Sequence, residues 1–215
     1  MKLSLKYAFL FAALIFGGII LAGCATKGMQ RSAKTSTTMK TVEDDYKQAA
    51  DQLDITKASL EELVRSGQSD VKKAFKKYSE NVDKMENLWK RVVEHSDNMR
   101  TQGKDYFAEW QKQGDTYTNP AIQALSEQRR SDLSAIFTEI SDASIGVKGA
   151  GKAYMSDIKE IRTYLSTDLT PKGVESIIPV TQKANTDGDN LKQAITPVLA
   201  AIAKAREEFA LGGTR

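Results

Sequence analysis

Apolar side chains recur at alternating steps of three and four residues over most of this chain, from residue 39 to residue 209. This spacing places them on one face of an α-helix, while Lys, Glu, Asp and Arg fill the positions between them. Because the seven-residue period is sustained, the apolar faces predict coiled-coil-like seams between helices. No segment shows the two-residue alternation of a strand.

Four stretches carry the pattern. The first seam consists of Met39, Val42, Tyr46, Ala49, Leu53, Leu60 and Leu63, with Thr56 as a polar interruption. The second consists of Val71, Phe75, Tyr78, Val82, Met85, Trp89, Val92, Ser96, Met99, Gly103, Tyr106 and Trp110. The third, whose period slips twice toward eleven residues, includes Ile122, Leu125, Leu133, Ile136, Ile140, Val147, Ala150, Tyr154, Ile158, Ile161 and Leu165. The fourth consists of Val174, Ile177, Thr181, Ala184, Gly188, Leu191, Ile195, Val198, Ile202, Ala205 and Phe209.

Turn-forming residues separate the four stretches: Ser66-Gly67, the segment 114–120 and Thr170-Pro171. Their positions predict helices of about 27, 44, 48 and 39 residues, and the short connections make neighbouring helices antiparallel. Two prolines, Pro179 and Pro197, fall inside the fourth stretch and are expected to bend or break it. The fold class is therefore all-α, an elongated antiparallel helical bundle.

The unequal helix lengths predict a projecting helical hairpin. If the chain reverses at Gly67, the first helix covers the second only to about residue 97, and the fourth covers the third back to about residue 130. Residues 98–127 would then project as a two-helix tip. The alternative is that Gly67 only kinks a continuous rod.

Four aromatic residues lie in the predicted tip: Tyr106, Phe107, Trp110 and Tyr117. Aromatic side chains favour both buried contacts and interfaces. Two interpretations follow, that these rings seal the hairpin or that they form a docking surface for a partner or a lipid interface.

The N-terminus has the order of a secretory signal, with Lys2 and Lys6 before an apolar run from Tyr7 to Ile20. Leu21, Ala22, Gly23 and Cys24 follow, and they resemble the lipobox of bacterial lipoproteins, in which the cysteine is acylated and the chain is cut just before it. An apolar run of about 14 residues is shorter than the ~20 that cross a bilayer, so we expect cleavage rather than an uncleaved anchor.

This interpretation divides the chain into a cleaved signal peptide (1–23), a lipidated cysteine with a flexible tether (24–38), a helical bundle domain (39–211) and a disordered tail (212–215). Ala25 is not the Asp that resembles an inner-membrane retention signal, so we expect an outer-membrane lipoprotein facing the periplasm. Lys27, Arg31 and Lys34 in the tether either contact anionic headgroups or only keep the tether soluble.

Charge and residue chemistry exclude several function classes. Removal of Lys2 and Lys6 lowers the formal charge from +3 to +1, without the basic face that nucleic-acid binding requires. His95 is the only histidine, and with Glu94 and Asp97 nearby it forms no metal-ligand set at helical spacing, so we expect an exposed helical histidine. We expect no enzyme activity, catalytic residue, cofactor or metal site.

Three glycines, Gly146, Gly149 and Gly151, superficially suggest a phosphate loop, but no strand precedes them and Lys152 is not followed by Ser or Thr. Folding the helices at the predicted turns brings Met85 and Trp89 to their level. We therefore expect the glycines to admit large neighbours, with Trp89 beside Gly146 and Gly149.

Several segments are similar to the bacterial family catalogued as domain of unknown function 2959: Phe107-Ala108-Glu109-Trp110, the turn from Asp115 to Ala121, Arg129 and the stretch from Ile158 to Leu169. The resemblance covers about residues 40–210 and implies a helical, exported protein. It implies no activity and no functional residues.

The sequence thus favours a lipid-anchored protein of the cell envelope that acts as a non-catalytic scaffold or binding module. It would contact the membrane through its lipid and an unidentified envelope partner through its helices; its oligomeric state is left open. The alternatives are a periplasmic carrier or chaperone with an inter-helix groove, and an unrecognised hydrolase. A continuous packed seam favours the scaffold, an apolar groove the carrier and a polar cleft the enzyme.

Overall fold

The computed structural model describes residues 19–209, and these residues form five helices without a strand. The helices are α1 (Ile19–Val64), α2 (Val71–Gly114), α3 (Pro120–Thr167), α4 (Pro171–Ser176) and α5 (Ile178–Phe209). The predicted all-α bundle is confirmed. Within the described ranges no helix is long and apolar enough to cross a membrane.

The four long helices form a closed bundle. Helix α1 packs against α2 and α5, and α3 packs against the same two helices, so α1 and α3 lie across a diagonal. The first connection is a true reversal of the chain: Gly67 has a φ of +76°, a conformation that strains residues with a Cβ. The hairpin at Gly67 is thereby confirmed over the kinked rod.

Side-chain caps fix where the helices begin. The Asp70 carboxylate accepts a hydrogen bond from the Lys73 amide before α2, and the Asn119 side chain accepts one from the Ala121 amide before α3. Such caps satisfy amides that have no partner within the first turn. Local sequence therefore determines where α2 and α3 begin.

The predicted seams form the core, with one exception at the beginning of α3. Every member of the first and fourth seams is buried, and the buried core continues along α2 from Tyr78 to Met99 and along α3 from Leu133 to Leu165. In contrast, Ile122 and Leu125 are exposed. Both residues lie in the segment 98–127 that the helix lengths predict to project, and their exposure agrees with that prediction.

The two prolines of the last stretch differ in effect. The chain leaves the helix at Ile177, so α4 ends at Ser176 and α5 begins at Ile178, with Pro179 in its first turn. Proline is tolerated there because the first amides of a helix lack an intrahelical acceptor. Pro197 lies inside α5, which continues through it to Phe209.

The N-terminal boundary of the bundle differs from the predicted one. Residues 31–38, assigned to a flexible tether, belong to α1 and contact its neighbours: Thr38 donates a hydrogen bond to Gln102, and Ser32 donates one to the carbonyl of Phe209. Thr35 is buried. This part of α1 packs on its neighbours through small and polar side chains, whereas the sequence analysis looked only for apolar ones.

Because α1 begins earlier, the projecting tip is shorter than the predicted 98–127. Arg31 on α1 lies opposite Glu109 on α2, and Arg129 on α3 pairs with Glu208 near the end of α5. The segment beyond these pairs runs from about residue 110 to 128. The hairpin therefore extends past the end of α5 by a few helical turns, while α1, which begins at Ile19, continues beside it.

Candidate functional site

Three of the four predicted tip aromatics form an internal cluster. The ring of Tyr106 lies 5.2 Å from that of Phe107 and 5.7 Å from that of Trp110, both edge to face. Phe209 at the end of α5 meets Tyr106 at 5.5 Å, and Phe137 on α3 meets Phe107 at 5.9 Å. These separations and angles are those of favourable aromatic pairs. The cluster joins α2, α3 and α5.

The polar atoms of the cluster also indicate that it joins the helices. Trp110 donates its indole N–H to the Ser126 hydroxyl at 2.9 Å, which ties α2 to α3. Burial raises the pKa of the Tyr106 phenol. The three rings are half-buried and packed on the core, which favours the sealing interpretation for them. Docking of a partner through these rings stays a prediction.

Tyr117 is separate from the cluster. It lies in the α2–α3 turn and is 36% exposed, while Ile122 and Leu125 on the first turns of α3 are 47% and 67% exposed. The sequence analysis named Tyr117 as a candidate docking residue, whereas it named Ile122 and Leu125 only as apolar positions of the third helix. The exposed apolar surface of the tip consists of Tyr117, Ile122 and Leu125, and we refer to it as the tip patch.

The glycine-rich part of α3 accommodates Trp89, as predicted, but through a different glycine. A Cβ built on Gly151 would lie 2.0 Å from Cη2 of Trp89, whereas Gly146 and Gly149 have no neighbour within 4 Å of that position. Gly151 is buried and the other two are exposed. The glycines serve packing at residue 151, and the pairing of Trp89 with Gly146 and Gly149 is wrong.

His95 is not the exposed residue expected from the sequence. Its Nδ1 lies 2.5 Å from Oδ2 of Asp45, which is buried between α1 and α2, and Arg91 contacts the other carboxylate oxygen at 3.5 Å. A buried carboxylate requires such partners because desolvation otherwise disfavours its charge. His95 therefore joins the two helices and holds a carboxylate that the sequence analysis did not select.

Asp45 belongs to a polar stripe that runs beside the first seam. Asp45, Gln52 and Ser59 are spaced by seven residues, each directly before an apolar seam residue, and all are buried. Gln52 donates to the Asn81 side chain on α2 at 3.4 Å. The heptad spacing of polar residues next to the seam could have revealed this stripe in the sequence. Asp45 and Gln52 bond to α2 and help to fix the register of α1 on α2, whereas Ser59 bonds to the carbonyl of Thr56 within α1.

A chain of hydroxyls crosses the bundle near its middle. Ser96 on α2 donates to Tyr46 on α1 at 3.1 Å, and Tyr46 donates to Ser144 on α3 at 3.4 Å. Beside them lies a cavity of about 20 Å³, which Met99 also lines. That volume has room for a single water molecule. It is far below the several hundred Å³ of a typical small-molecule site.

The larger depressions are open grooves on the surface. One follows α3 from Ala124 to Thr138, and another surrounds the Gly67 turn from Glu62 to Glu80. Both are lined mainly by charged, amide and hydroxyl side chains. Among the described residues no group of three or more His, Cys, Asp or Glu side chains is arranged to hold a metal ion.

The lipobox residues fall at the start of α1. Leu21, Ala22, Gly23 and Cys24 lie in its first two turns, so residue 24 is continuous by helix with the bundle. Residues 1–18, which include most of the apolar run from Tyr7 to Ile20, lie outside the described residues, as does the predicted tail 212–215.

Comparison with known proteins places these features in a family. A family model described as "Protein of unknown function (DUF2959)" matches residues 25–210. The chain belongs to this family. The match covers the described helices from residue 25 onward, and the resemblance noted in the sequence is thereby confirmed. No curated protein matches the chain, and no solved structure matches it.

Proposed function

We propose that this member of the DUF2959 family is a lipid-anchored protein of the bacterial cell envelope that acts as a non-catalytic scaffold. The main support for this proposal is that α1 runs without interruption from the lipobox cysteine, Cys24, to Val64. A lipid on Cys24 would therefore be attached to the rigid bundle itself. Several acyl chains on one residue give effectively permanent anchoring.

The length of α1 determines how far such a scaffold could reach from the membrane. From Cys24 to Val64 the helix rises about 60 Å, at 1.5 Å per residue. The turn at Gly67 and the turn before Pro171 lie at the end of the bundle remote from Cys24. If the bundle stands on the membrane, it holds this distal end about 60 Å from the lipid.

The packing supports a scaffold more than a carrier or an enzyme. The seams are buried along most of the bundle, and the cavity of about 20 Å³ between α2 and α3 is too small for a ligand. The open grooves are lined mainly by polar side chains, whereas a carrier for apolar molecules requires an apolar groove. We propose that the partner is an envelope protein bound along the helices.

The anchor is tested by Cys24→Ser. Membrane fractionation and metabolic labelling with a fatty acid should show that the variant loses its lipid and leaves the membrane, while circular dichroism shows an unchanged helix content. Ala25→Ser, which keeps the cysteine, is the matched control. Unchanged lipid labelling of Cys24→Ser would contradict the proposal.

The outer-membrane location is tested by Ala25→Asp. In a cell with two membranes we expect this substitution to move the protein to the inner-membrane fraction, because it creates a residue that resembles the retention signal. An unchanged distribution would contradict the proposed sorting.

The spacing role is tested by energy transfer. Cys24 is the only cysteine, so once it is acylated, a single cysteine introduced at Ser69 in the distal turn or at exposed Lys34 can be labelled selectively. The vesicles carry the lipidated protein and have acceptor dyes in their headgroups. A donor label at residue 34 should be quenched by energy transfer, and a donor label at residue 69 should not. Equal transfer from both sites would mean that the bundle lies flat.

A further inference from the structure

Contacts between α1 and α2 fix which parts of the bundle share the end that carries Cys24. Thr38 donates to Gln102 at 2.9 Å, and Arg31 Nη1 lies 3.7 Å from Glu109 Oε2. Arg31 lies seven residues before Thr38 in α1, and its partner Glu109 lies seven residues after Gln102 in α2. The two helices are antiparallel and keep this register through their outermost described contacts.

The same register brings Cys24 level with the α2–α3 turn. Cys24 lies seven residues before Arg31, about 10 Å along the helix axis, and the turn begins about 8 Å beyond Glu109. The lipobox cysteine and the turn therefore differ by only a few Å in height along the bundle. This relationship follows from tertiary packing, because α1 includes residues that the sequence predicted to be a flexible tether.

The tip patch lies at this level. Tyr117, Ile122 and Leu125 are all exposed, and Ile122 and Leu125, three residues apart, share one face of α3. Residues Thr116 to Ser126 include no charged side chain, although 27% of the chain is Asp, Glu, Lys or Arg. The α2–α3 turn and the beginning of α3 are thus uncharged and expose large apolar side chains, whereas the faces of the helices are charged.

We propose that the tip patch inserts into the interface of the lipid bilayer that holds the Cys24 lipid. This inference rests on the proposed lipid anchor. Apolar side chains gain free energy on leaving water, and tyrosine suits the headgroup level, where its hydroxyl stays hydrated. The anchor makes the contact intramolecular, so even a small apolar area is sufficient for binding. Two attachment points then orient the bundle, with the lipid and the tip patch at one end.

The experiment uses the full-length lipidated protein in vesicles of phosphatidylethanolamine and phosphatidylglycerol. Leu125→Cys is labelled with a polarity-sensitive fluorophore. Ile145→Cys is the matched control because Ile145 is an equally exposed apolar residue of α3 near the middle of the bundle. We expect the emission of the label at 125, but not at 145, to shift to shorter wavelength and to be quenched by lipids with brominated acyl chains.

A second variant tests the apolar contribution directly. With the label on Tyr117→Cys, replacing Ile122 and Leu125 by Ser should reduce quenching by brominated lipids while the protein remains bound to the vesicles. Unchanged quenching would overturn the proposed role of these two side chains.

The outcomes separate this inference from the proposed function. Mass spectrometry reports the lipid on Cys24 independently, and an unlipidated Cys24 would overturn the anchor and this inference together. A lipidated protein whose label at 125 is as exposed to water as the label at 145 would overturn only the inserted tip. A blue-shifted label that brominated lipids do not quench would show a second copy of the protein on the tip patch and would equally overturn lipid insertion.

Discussion

The ring of Trp89 occupies the space that a side chain at residue 151 would require: a Cβ on Gly151 would lie 2.0 Å from Cη2 and 2.1 Å from Cζ2 of the indole. No real pair of carbon atoms approaches so closely without a bond. Trp89 on α2 and Gly151 on α3 are therefore complementary, and the approach of these two helices depends on the absence of a side chain at 151.

Gly151→Ala should destabilise the bundle. The added methyl group displaces the Trp89 ring, and overpacking of this kind typically costs about 1–3 kcal/mol. Gly149→Ala is the matched control, because that position is open and alanine in a helix is favoured over glycine by about 0.5–1 kcal/mol. Urea denaturation should give opposite signs for the two substitutions. Stabilisation by both would mean that Trp89 can move away without cost.

A double substitution tests whether the cost at 151 arises from Trp89. In a Trp89→Leu background, Gly151→Ala should be less destabilising than in the wild type, because the smaller side chain leaves room for the methyl group. Residues in contact couple by about 0.5–3 kcal/mol in such a cycle. Additive effects within about 0.3 kcal/mol would contradict the direct contact.

Two buried tyrosines offer a comparison of a paired and an unpaired hydroxyl. Tyr78 donates to the carbonyl of Ile158 at 2.7 Å, whereas the buried Tyr154 hydroxyl has no hydrogen-bond partner among the described residues. Burial raises the pKa of both phenols. Tyr78→Phe should cost about 0.5–1.5 kcal/mol, the net value of one hydrogen bond. Tyr154→Phe should be neutral or stabilising, since it removes a polar group that burial disfavours.

Thermal melts of the two phenylalanine variants at neutral pH decide this prediction. A lower melting temperature for Tyr154→Phe than for Tyr78→Phe would reverse the expected order and would place the stronger hydrogen bond at Tyr154.

Acidification should weaken the link between α2 and α3 at Glu86. Hydrogen bonds from Lys159, which has the larger effect, and from Arg162 lower the pKa of the Glu86 carboxyl below its ordinary value of 4.5. A carboxyl whose pKa is lowered by folding contributes stability above its unfolded pKa and loses it as the pH falls through the folded value. The contribution of Glu86 is thus complete above about pH 5 and disappears below the folded pKa.

Glu86→Gln should therefore lose less melting temperature than the wild type between about pH 5 and about pH 3. Glu94→Gln is the control, since Glu94 is exposed and forms no ion pair among the described residues. Equal acid sensitivity of Glu86→Gln and the wild type would show that other carboxylates determine the acid transition.

The sequence by itself determined the helices and the faces they bury. A sustained seven-residue period of apolar side chains indicates a helix with one apolar face, and turn residues such as Gly67 and Asn119 have local effects that do not depend on distant contacts. For the same reason the seam of α5, from Thr181 to Phe209, was predicted without error. The Leu21–Cys24 pattern consists of consecutive residues, so the sequence is sufficient to recognise it.

Tertiary structure alone decided which helix covers which part of its neighbour. The period of α3 extends through Ile122 and Leu125, yet these residues are exposed, because periodicity describes a face and not what packs on it. The same limit hid Asp45 as the partner of His95, which lies fifty residues away in sequence. It also hid the inclusion of residues 31–38 in α1, where hydroxyls rather than apolar side chains make the contacts. Contacts between distant segments depend on the register of helix against helix, and that register is set by side-chain fit across the bundle.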